Sequence, residues 1–190
     1  MDTIADVLNR YETDKQRDHN YGHFYDCLFG SYRDQVRAVL EVGVQNGGSL
    51  LALAEIFPNA KICGIDKYCS PETMMLETDR IKIVEGDATD VESLLVCGNW
   101  LKMKCDVIID DGSHMPHEQI ETARILYQGL ADRSWYIIED IYPSMFGPGL
   151  IEWIGSLTYA GYNGINRYSS IMIHPPLCVM SMVPEDERAK

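Results

Sequence analysis

Apolar runs of strand length alternate with helical stretches through the middle of the chain. The first run, Ala38–Val44, ends in a glycine turn, and the helix formers Ser49–Ile56 follow it. Pro58 then ends the helix, and Lys61–Asp66 has the composition of a second strand that closes on an acid. Strand, turn, helix and strand in this order predict one βαβ unit.

The same alternation continues beyond this unit. Further strands are predicted at residues 81–87, 105–111 and 135–140, and a helix at residues 117–130. Strands that alternate with helices build parallel sheets covered on both faces. The predicted fold class is therefore α/β: a Rossmann-like, doubly wound, mostly parallel seven-stranded sheet with helices on both faces.

The two ends of the chain differ from this middle part. The runs at residues 167–173 and 177–182 flank a Pro-Pro turn and predict a C-terminal antiparallel hairpin. The first 35 residues are polar, with an aromatic cluster at residues 21–25, and are expected to cap a pocket. At 190 residues the chain is expected to form one domain (1–190), with a cap or lid at 1–35 and the core at 36–190.

Carboxylates follow the predicted strands at the point where each strand ends. They are Asp66, Asp87, Asp110, Asp111, Glu139 and Asp140. In open α/β sheets, ligands bind beyond the carboxyl ends of the strands. A single acidic strand end could arise by chance, but the recurrence predicts the rim of an active site.

Composition excludes several other classes. The net charge of −13 disfavours a nucleic-acid partner. No apolar run approaches the roughly 20 residues of a membrane helix, so no membrane partner is expected. The N-terminus has neither the basic start nor the apolar stretch of a secretory signal, which favours a cytoplasmic protein. The six cysteines form no Cys-x-x-Cys pair, so neither a zinc site nor a redox pair is indicated.

The glycine turn after the first strand, Glu41–Ser49, predicts a cofactor site. Its glycines at 43, 47 and 48 do not match the Gly-x-Gly-x-x-Gly spacing of a dinucleotide site. Asp66 lies 23 residues after Gly43, where an acid can accept the hydroxyls of an adenosine ribose. The turn and spacing together favour an adenosine cofactor other than a nicotinamide dinucleotide.

Glu41 at the end of the first strand and Glu85–Ala88 after the third resemble class I methyltransferases, which use S-adenosylmethionine (SAM). The resemblance implies that Glu41, Gly43 and Gly47 bind the methionine end and Asp66 the ribose. It further implies that Asp87 and Ala88 bind the adenine. Four more residues complete the expected cofactor set: Thr13, Lys15, Ser49 and Asp110. The alternative is a glycine turn that only packs tightly, with Asp87 capping a helix.

Asp110–His114 follows a strongly apolar strand, and Glu139-Asp140 follows the next one. Adjacent strands lie about 4.8 Å apart, so Asp111 and Asp140 could share one cation, with Mg²⁺ or Mn²⁺ the natural choice. The alternative is a helix-capping Asp111 and a solvated Glu139-Asp140 turn. His117 is expected at the surface, and Tyr142, Phe146 and Trp153 are candidates for an apolar acceptor wall or for core packing.

These motifs, together with Thr13–Lys15, resemble the metal-dependent sugar O-methyltransferases of macrolide and aminocoumarin pathways over residues 12 to about 145. The resemblance implies that Asp111 and Asp140 bind the metal, with Glu139 as the candidate third acid. It implies that His114 is the general base and that Asp111 is a second catalytic residue. The implied acceptor is a 6-deoxyhexose, free or in a glycoside or glycan, and the protein is a possible homo-oligomer.

Other functions stay open at this stage. A catechol or small-phenol O-methyltransferase would share the cofactor and the metal. A nicotinamide-dependent oxidoreductase would share the fold and the ribose acid, but the chain lacks its glycine spacing. A non-catalytic SAM-binding module would have no reason to keep the acids and His114 together.

Overall fold

The computed structural model describes residues 2–11, 13–141, 149–162, 168–174 and 176–182. The helices are α1 Ile4–Arg10, α2 Asp14–Arg17, α3 Tyr21–Phe29, α4 Gly48–Ile56, α5 Pro71–Met74, α6 Val91–Leu101, α7 Pro116–Leu126 and α8 Gly149–Tyr162, with a 3-10 turn at Tyr127–Gly129. The strands are β1 Ala38–Val42, β2 Lys61–Asp66, β3 Ile81–Glu85, β4 Cys105–Asp110, β5 Leu130–Ile138, β6 Tyr168–His174 and β7 Leu177–Met182.

The strands form one seven-stranded sheet in the order β3-β2-β1-β4-β5-β7-β6. Strands β1 to β5 pair in parallel, and β7 is antiparallel to both β5 and β6. The predicted fold class is confirmed, including the C-terminal hairpin. The chain order reverses beside β1, which places a topological switch point next to the glycine turn.

Alternate strand residues face opposite sides of the sheet and build two apolar cores. Val39 and Ile109 belong to the core on the side of α1, α3 and α4. Leu40 and Ile108 belong to the other core, with α6, α7 and α8. Because both faces are covered, every residue of β1 is buried, including Glu41. A carboxylate in such a strand needs a partner, and this requirement shapes the site described below.

Local signals set the helix starts. Thr3 and Asp6 form a capping box on α1. Asp90 caps α6, where its side chain accepts from the Ser93 amide. Pro116 stands at the start of α7, where its missing N–H costs nothing.

Some predicted bounds were wrong, and β5 shows why. The strand starts at Leu130, five residues before the apolar run that predicted it at 135. Residues 132 and 133 are exposed, Arg133 has a positive φ of 57°, and the register to β4 shifts between Cys105 and Val107. A bulge therefore carries polar residues through the strand. The same extension shortens the predicted 117–130 helix, which ends at Leu126.

The N-terminal segment is part of the packed core. Ile4, Leu8, Tyr25 and Phe29 are buried with residues of α4 and the sheet. A division of the domain at residue 35 stays a prediction. Among the described residues, no helix is both long and apolar enough to cross a membrane.

Candidate cofactor and metal site

A cavity of about 740 Å³ opens at the carboxyl ends of β1 to β4. Its size is that of a small-molecule site. Nine of the residues predicted from the sequence line it: Thr13, Gly43, Ser49, Asp66, Asp87, Ala88, Asp110, Asp111 and His114. The others, Lys15, Glu41, Gly47, Glu139 and Asp140, lie around it rather than on its wall.

The glycine turn is held in a backbone conformation that suits glycine at two positions. Gly43 has φ +89°, and a Cβ there would collide with the carbonyl oxygen of Asp111. Gly47 has φ +81° and precedes α4, where a Cβ would meet the Leu76 side chain. Both glycines thus serve the packing of the turn, and Gly43 also opens onto the cavity.

Asp66 ties the glycine turn to the end of β2. Its Oδ2 accepts hydrogen bonds from the amides of Val44 at 2.7 Å and Gln45 at 3.0 Å. Its Oδ1 accepts from the Tyr68 amide at 3.2 Å. The carboxylate lines the cavity while it fixes the loop, so a ribose contact would add to an existing structural role.

Asp87 does not cap a helix. Its Oδ1 accepts from the amide and hydroxyl of Thr89 at 2.8 and 2.7 Å. These hydrogen bonds to Thr89 lower the pKa of Asp87. Lys67 Nζ lies 3.3 Å from Asp87 Oδ2 and 3.1 Å from Glu118 Oε1, so an exposed bridge joins β3 to α7 at the cavity wall.

A cluster of one lysine and three carboxylates extends from Asp111 on the cavity wall into the interior, where Lys15, Glu41 and Glu139 are buried. Lys15 Nζ is 2.5 Å from Asp111 Oδ2, 2.5 Å from Glu139 Oε2 and 3.2 Å from Glu41 Oε1. The Lys15 side chain is only 2% exposed. Burial by itself lowers the pKa of Lys15, but the three negative charges outweigh it and raise the pKa well above the usual value. Ser49 donates to Glu41 Oε2 at 2.7 Å.

Two tyrosines of α3 reach the acids that follow β5. The Tyr25 hydroxyl donates to Glu139 Oε1. The Tyr21 hydroxyl donates to Asp140 Oδ1 at 2.6 Å. Burial raises the pKa of Glu139, and Lys15 opposes that rise. Both Glu139 oxygens are therefore engaged by protein donors.

Asp110 is the buried acid of the cavity wall. Desolvation raises its pKa from 3.8 to about 7, although hydrogen bonds from the Gly112 amide and the Tyr136 hydroxyl lower it. The Tyr136 hydroxyl lies 3.3 Å from Asp110 Oδ2. Asp110 is therefore a group that changes charge near neutral pH.

Asp111, His114 and Asp140 form a group that could hold a metal ion. Each offers one ligand atom, and these atoms lie within 4.8 Å of one another. His114 Nδ1 is buried and has no hydrogen-bond partner among the described residues. His114 and Asp140 also have positive φ values of 57° and 56°, a costly conformation that is concentrated at functional sites. The donor set fits a divalent cation.

Glu139 lies outside this group, with its oxygens turned to Lys15 and Tyr25. Its assignment as a metal ligand stays a prediction. His117 is exposed, as expected. Trp153 packs against the core of α6, α7 and α8. Tyr142 and Phe146, the other residues considered for an acceptor wall, lie outside the described residues.

Sequence reasoning did not find the central role of Lys15. The prediction placed it at the cofactor, whereas the structure places it among three carboxylates. Tyr21 and Tyr25 were seen only as an aromatic cluster, and their hydroxyl contacts were missed. One feature of the sequence could have indicated these partners: several acids lie in or directly after strands that are expected to be buried, and each buried acid needs a hydrogen-bond donor from elsewhere in the chain.

The sheet order, the reversed β7 and the glycine turn above a cavity define a class I methyltransferase fold. The solved structure of the MycE methyltransferase from the mycinamycin biosynthetic pathway, in complex with Mg, SAH and mycinamycin VI, matches with a TM-score of 0.85. The match has 24% identity and covers 98% of this chain and 55% of that one. No protein-family model matches the chain.

Two curated proteins show the kinship in sequence. An 8-demethyl-8-(2-methoxy-alpha-L-rhamnosyl)-tetracenomycin-C 3'-O-methyltransferase of Streptomyces olivaceus is 30% identical over 69% of this chain and 34% of its own length. A mycinamicin VI 2''-O-methyltransferase of Micromonospora griseorubida is 30% identical over 77% of this chain and 37% of its own. The chain thus spans little more than a third of these relatives. It is a class I methyltransferase homologue related to the sugar O-methyltransferases of macrolide and tetracenomycin pathways, as its motifs predicted.

Proposed function

We propose that this chain is a SAM-dependent, divalent-metal-assisted O-methyltransferase that methylates a sugar hydroxyl. One observation carries the proposal: Asp111, His114 and Asp140 converge beside a cavity that Asp66 and Asp87 line. Cofactor-binding acids and a cation site thus meet at one sheet edge. The names of the two relatives give a rhamnosyl tetracenomycin and mycinamicin VI as the compounds that are methylated, which supports a 6-deoxyhexose acceptor in a glycoside.

The residues divide into a cofactor part and a reaction part. Asp66 and Asp87 are suited to hold the adenosine of SAM, which supplies the methyl group. Asp111 and Asp140 would hold Mg²⁺ or Mn²⁺, because hard cations prefer carboxylate oxygens and water to imidazole. A cation in this place would lower the pKa of an acceptor hydroxyl.

Because hard cations prefer oxygen ligands to imidazole, His114 is assigned the role of general base, which accepts the hydroxyl proton. In the transfer, the sulfur–carbon bond of SAM breaks and a carbon–oxygen bond to the acceptor forms, while the hydroxyl proton passes to the His114 imidazole. Imidazole is the side chain most often used for proton transfer at neutral pH. Asp140 Oδ2 lies 3.7 Å from His114 Nε2, so a protonated imidazole would have a carboxylate beside it.

The test is methyl transfer from isotope-labelled SAM to a panel of 6-deoxyhexose glycosides, with catechols in a second arm. Wild type with Mg²⁺ is compared with EDTA-treated protein, with His114→Asn and with His117→Asn as the exposed control. We expect glycoside labelling that EDTA abolishes, that His114→Asn lowers by about 10²–10⁴-fold, and that the control retains. Labelling of catechols alone would favour a phenol acceptor, and labelling that survives both EDTA and His114→Asn would contradict the mechanism.

A further inference from the structure

The acids of the candidate cation site take hydrogen-bond donors from the N-terminal segment. Asp140, at the end of β5, accepts from the hydroxyl of Tyr21, which lies 119 positions earlier in the chain. Lys15 approaches Asp111 in the same way. Each of these two carboxylates therefore has one oxygen committed to a residue of α2 or α3.

The Tyr21 contact has the features of a built interaction. Its side chain begins α3 and is only 3% exposed, and the hydroxyl–carboxylate distance is 2.6 Å. His19 stacks on the Tyr21 ring with a centroid distance of 5.1 Å, and its Nδ1 lies 3.6 Å from the same Asp140 oxygen.

The two carboxylate oxygens of Asp140 have different neighbours. Oδ1 is directed to Tyr21, and Oδ2 lies towards His114. Asp140 itself has a left-handed φ of 56°, a conformation that costs free energy in a residue with a Cβ. A fixed donor on Oδ1 reduces the rotamer freedom that a cation would otherwise have to remove.

We propose that Tyr21 is a positioning residue of the cation site, which holds Asp140 Oδ1 so that Oδ2 is the oxygen that would be offered to an ion. The inference rests on the proposed function, because it takes Asp140 as a metal ligand. It adds that the N-terminal segment completes the metal site and does not merely cover a pocket. Loss of ligand-orienting partners of this kind lowers metal affinity by about 10–100-fold in proteins.

The test is a Mn²⁺ titration without SAM, in which electron paramagnetic resonance measures the free ion. Wild type is compared with Tyr21→Phe, which removes one oxygen, and with Tyr32→Phe, whose ring is 45% exposed. We expect Tyr21→Phe to weaken Mn²⁺ binding by about tenfold or more. Tyr32→Phe is expected to bind as wild type, and SAM affinity is expected to be equal in all three.

A double-mutant cycle with Asp140→Asn distinguishes a positioning role of Tyr21 from a general contribution to the fold. If Tyr21 acts through Asp140, Tyr21→Phe has no further effect on Mn²⁺ affinity in the Asp140→Asn background. Should Tyr21→Phe fail to fold by circular dichroism, the pair Tyr21→His and Tyr21→Leu replaces it. The His variant, which keeps a donor, is then expected to bind Mn²⁺ more tightly than the Leu variant.

The outcomes separate the two claims. If wild type binds Mn²⁺ and Tyr21→Phe binds it with equal affinity, the positioning role is overturned and the metal site is retained. The same holds if the Tyr21→His and Tyr21→Leu variants bind Mn²⁺ with equal affinity. Absence of Mn²⁺ binding by wild type overturns the metal part of the proposed function and the positioning role with it.

Discussion

Replacement of Lys15 by Met tests whether one ammonium group compensates the buried acids behind the cavity. Met keeps an unbranched apolar side chain, one heavy atom shorter than that of Lys, and removes the charge. The substitution leaves Glu41, Asp111 and Glu139 with no cation at the 2.5–3.2 Å distances seen in the structure. Breaking a buried ion pair on one side costs about 3–5 kcal/mol.

The free energy of protonating one glutamate gives a similar estimate of the stability that Lys15→Met loses. Without Lys15, the folded variant can escape part of the repulsion by keeping one more glutamate protonated than the wild type does. The ordinary pKa of such a group is 4.5. Holding the proton at pH 7 then costs about 3.4 kcal/mol, at 1.36 kcal/mol for each pH unit. At pH 5 the same step costs only about 0.7 kcal/mol.

The sign of the pH dependence follows from the extra proton. The folded variant binds more protons than its unfolded chain, so its stability falls as pH rises above the unfolded pKa. We therefore expect Lys15→Met to lose about 3–4 kcal/mol of unfolding free energy at pH 7 and much less at pH 5. Urea unfolding followed by circular dichroism at both pH values measures this difference.

The matched control is Lys82→Met. Lys82 pairs with Glu77 at 2.7 Å, but about a third of each side chain is exposed. Its loss should cost less than about 1 kcal/mol at either pH. A Lys15→Met protein as stable as wild type at pH 7, or one with a loss that does not shrink at pH 5, would refute the electrostatic account of the cluster.

Three further changes probe the cavity wall. Asp66→Asn should weaken SAM binding by about tenfold or more, because it removes a charged acceptor, and calorimetry measures the loss. Gly43→Ala should lower the unfolding free energy by more than about 1 kcal/mol, since its φ is +89° and its Cβ would meet the Asp111 carbonyl. Asp110→Asn should raise the free energy of unfolding above that of wild type, and by more at pH 8 than at pH 5. Burial raises the pKa of Asp110 to about 7, so in wild type this carboxyl ionises unfavourably as the pH rises from 5 to 8, whereas Asn does not ionise.

Each of these has its own control or contrary outcome. Gly98→Ala lies in α6 with nothing within 4 Å of the new Cβ, so it should stabilise by about 0.5–1 kcal/mol, and an equal loss in both alanine variants would contradict the role given to Gly43. Asp79→Asn, at an exposed position, should leave SAM affinity unchanged. An Asp110→Asn effect of the same size at pH 5 and pH 8 would show that desolvation does not govern this carboxylate.

The cavity was predictable because its elements are encoded locally. Apolar runs that end in acids mark parallel strands, and parallel strands deliver their ends to one edge. Asp66, Asp87, Asp110 and Asp111 therefore met where the sequence predicted. The bulge at Arg133 was not predictable, because the charged residues of β5 break the apolar run that marks the rest of the strand.

The positioning contacts have no local signal at all. Lys15 reaches Asp111 and Glu139 across 96 and 124 positions of sequence, and Tyr21 reaches Asp140 across 119. Such pairs depend on how the N-terminal helices pack on the sheet. A sequence shows that a buried acid such as Glu41 needs a partner, but only the packed structure shows that the partner is Lys15.

Calorimetric titration of the purified protein measures whether this cavity binds SAM. SAM is titrated with and without Mg²⁺, and NADH is titrated in parallel. We expect saturable SAM binding in the micromolar range and no binding of NADH. Binding of NADH, or no binding of SAM under either condition, would contradict the assignment of the site to methyl transfer.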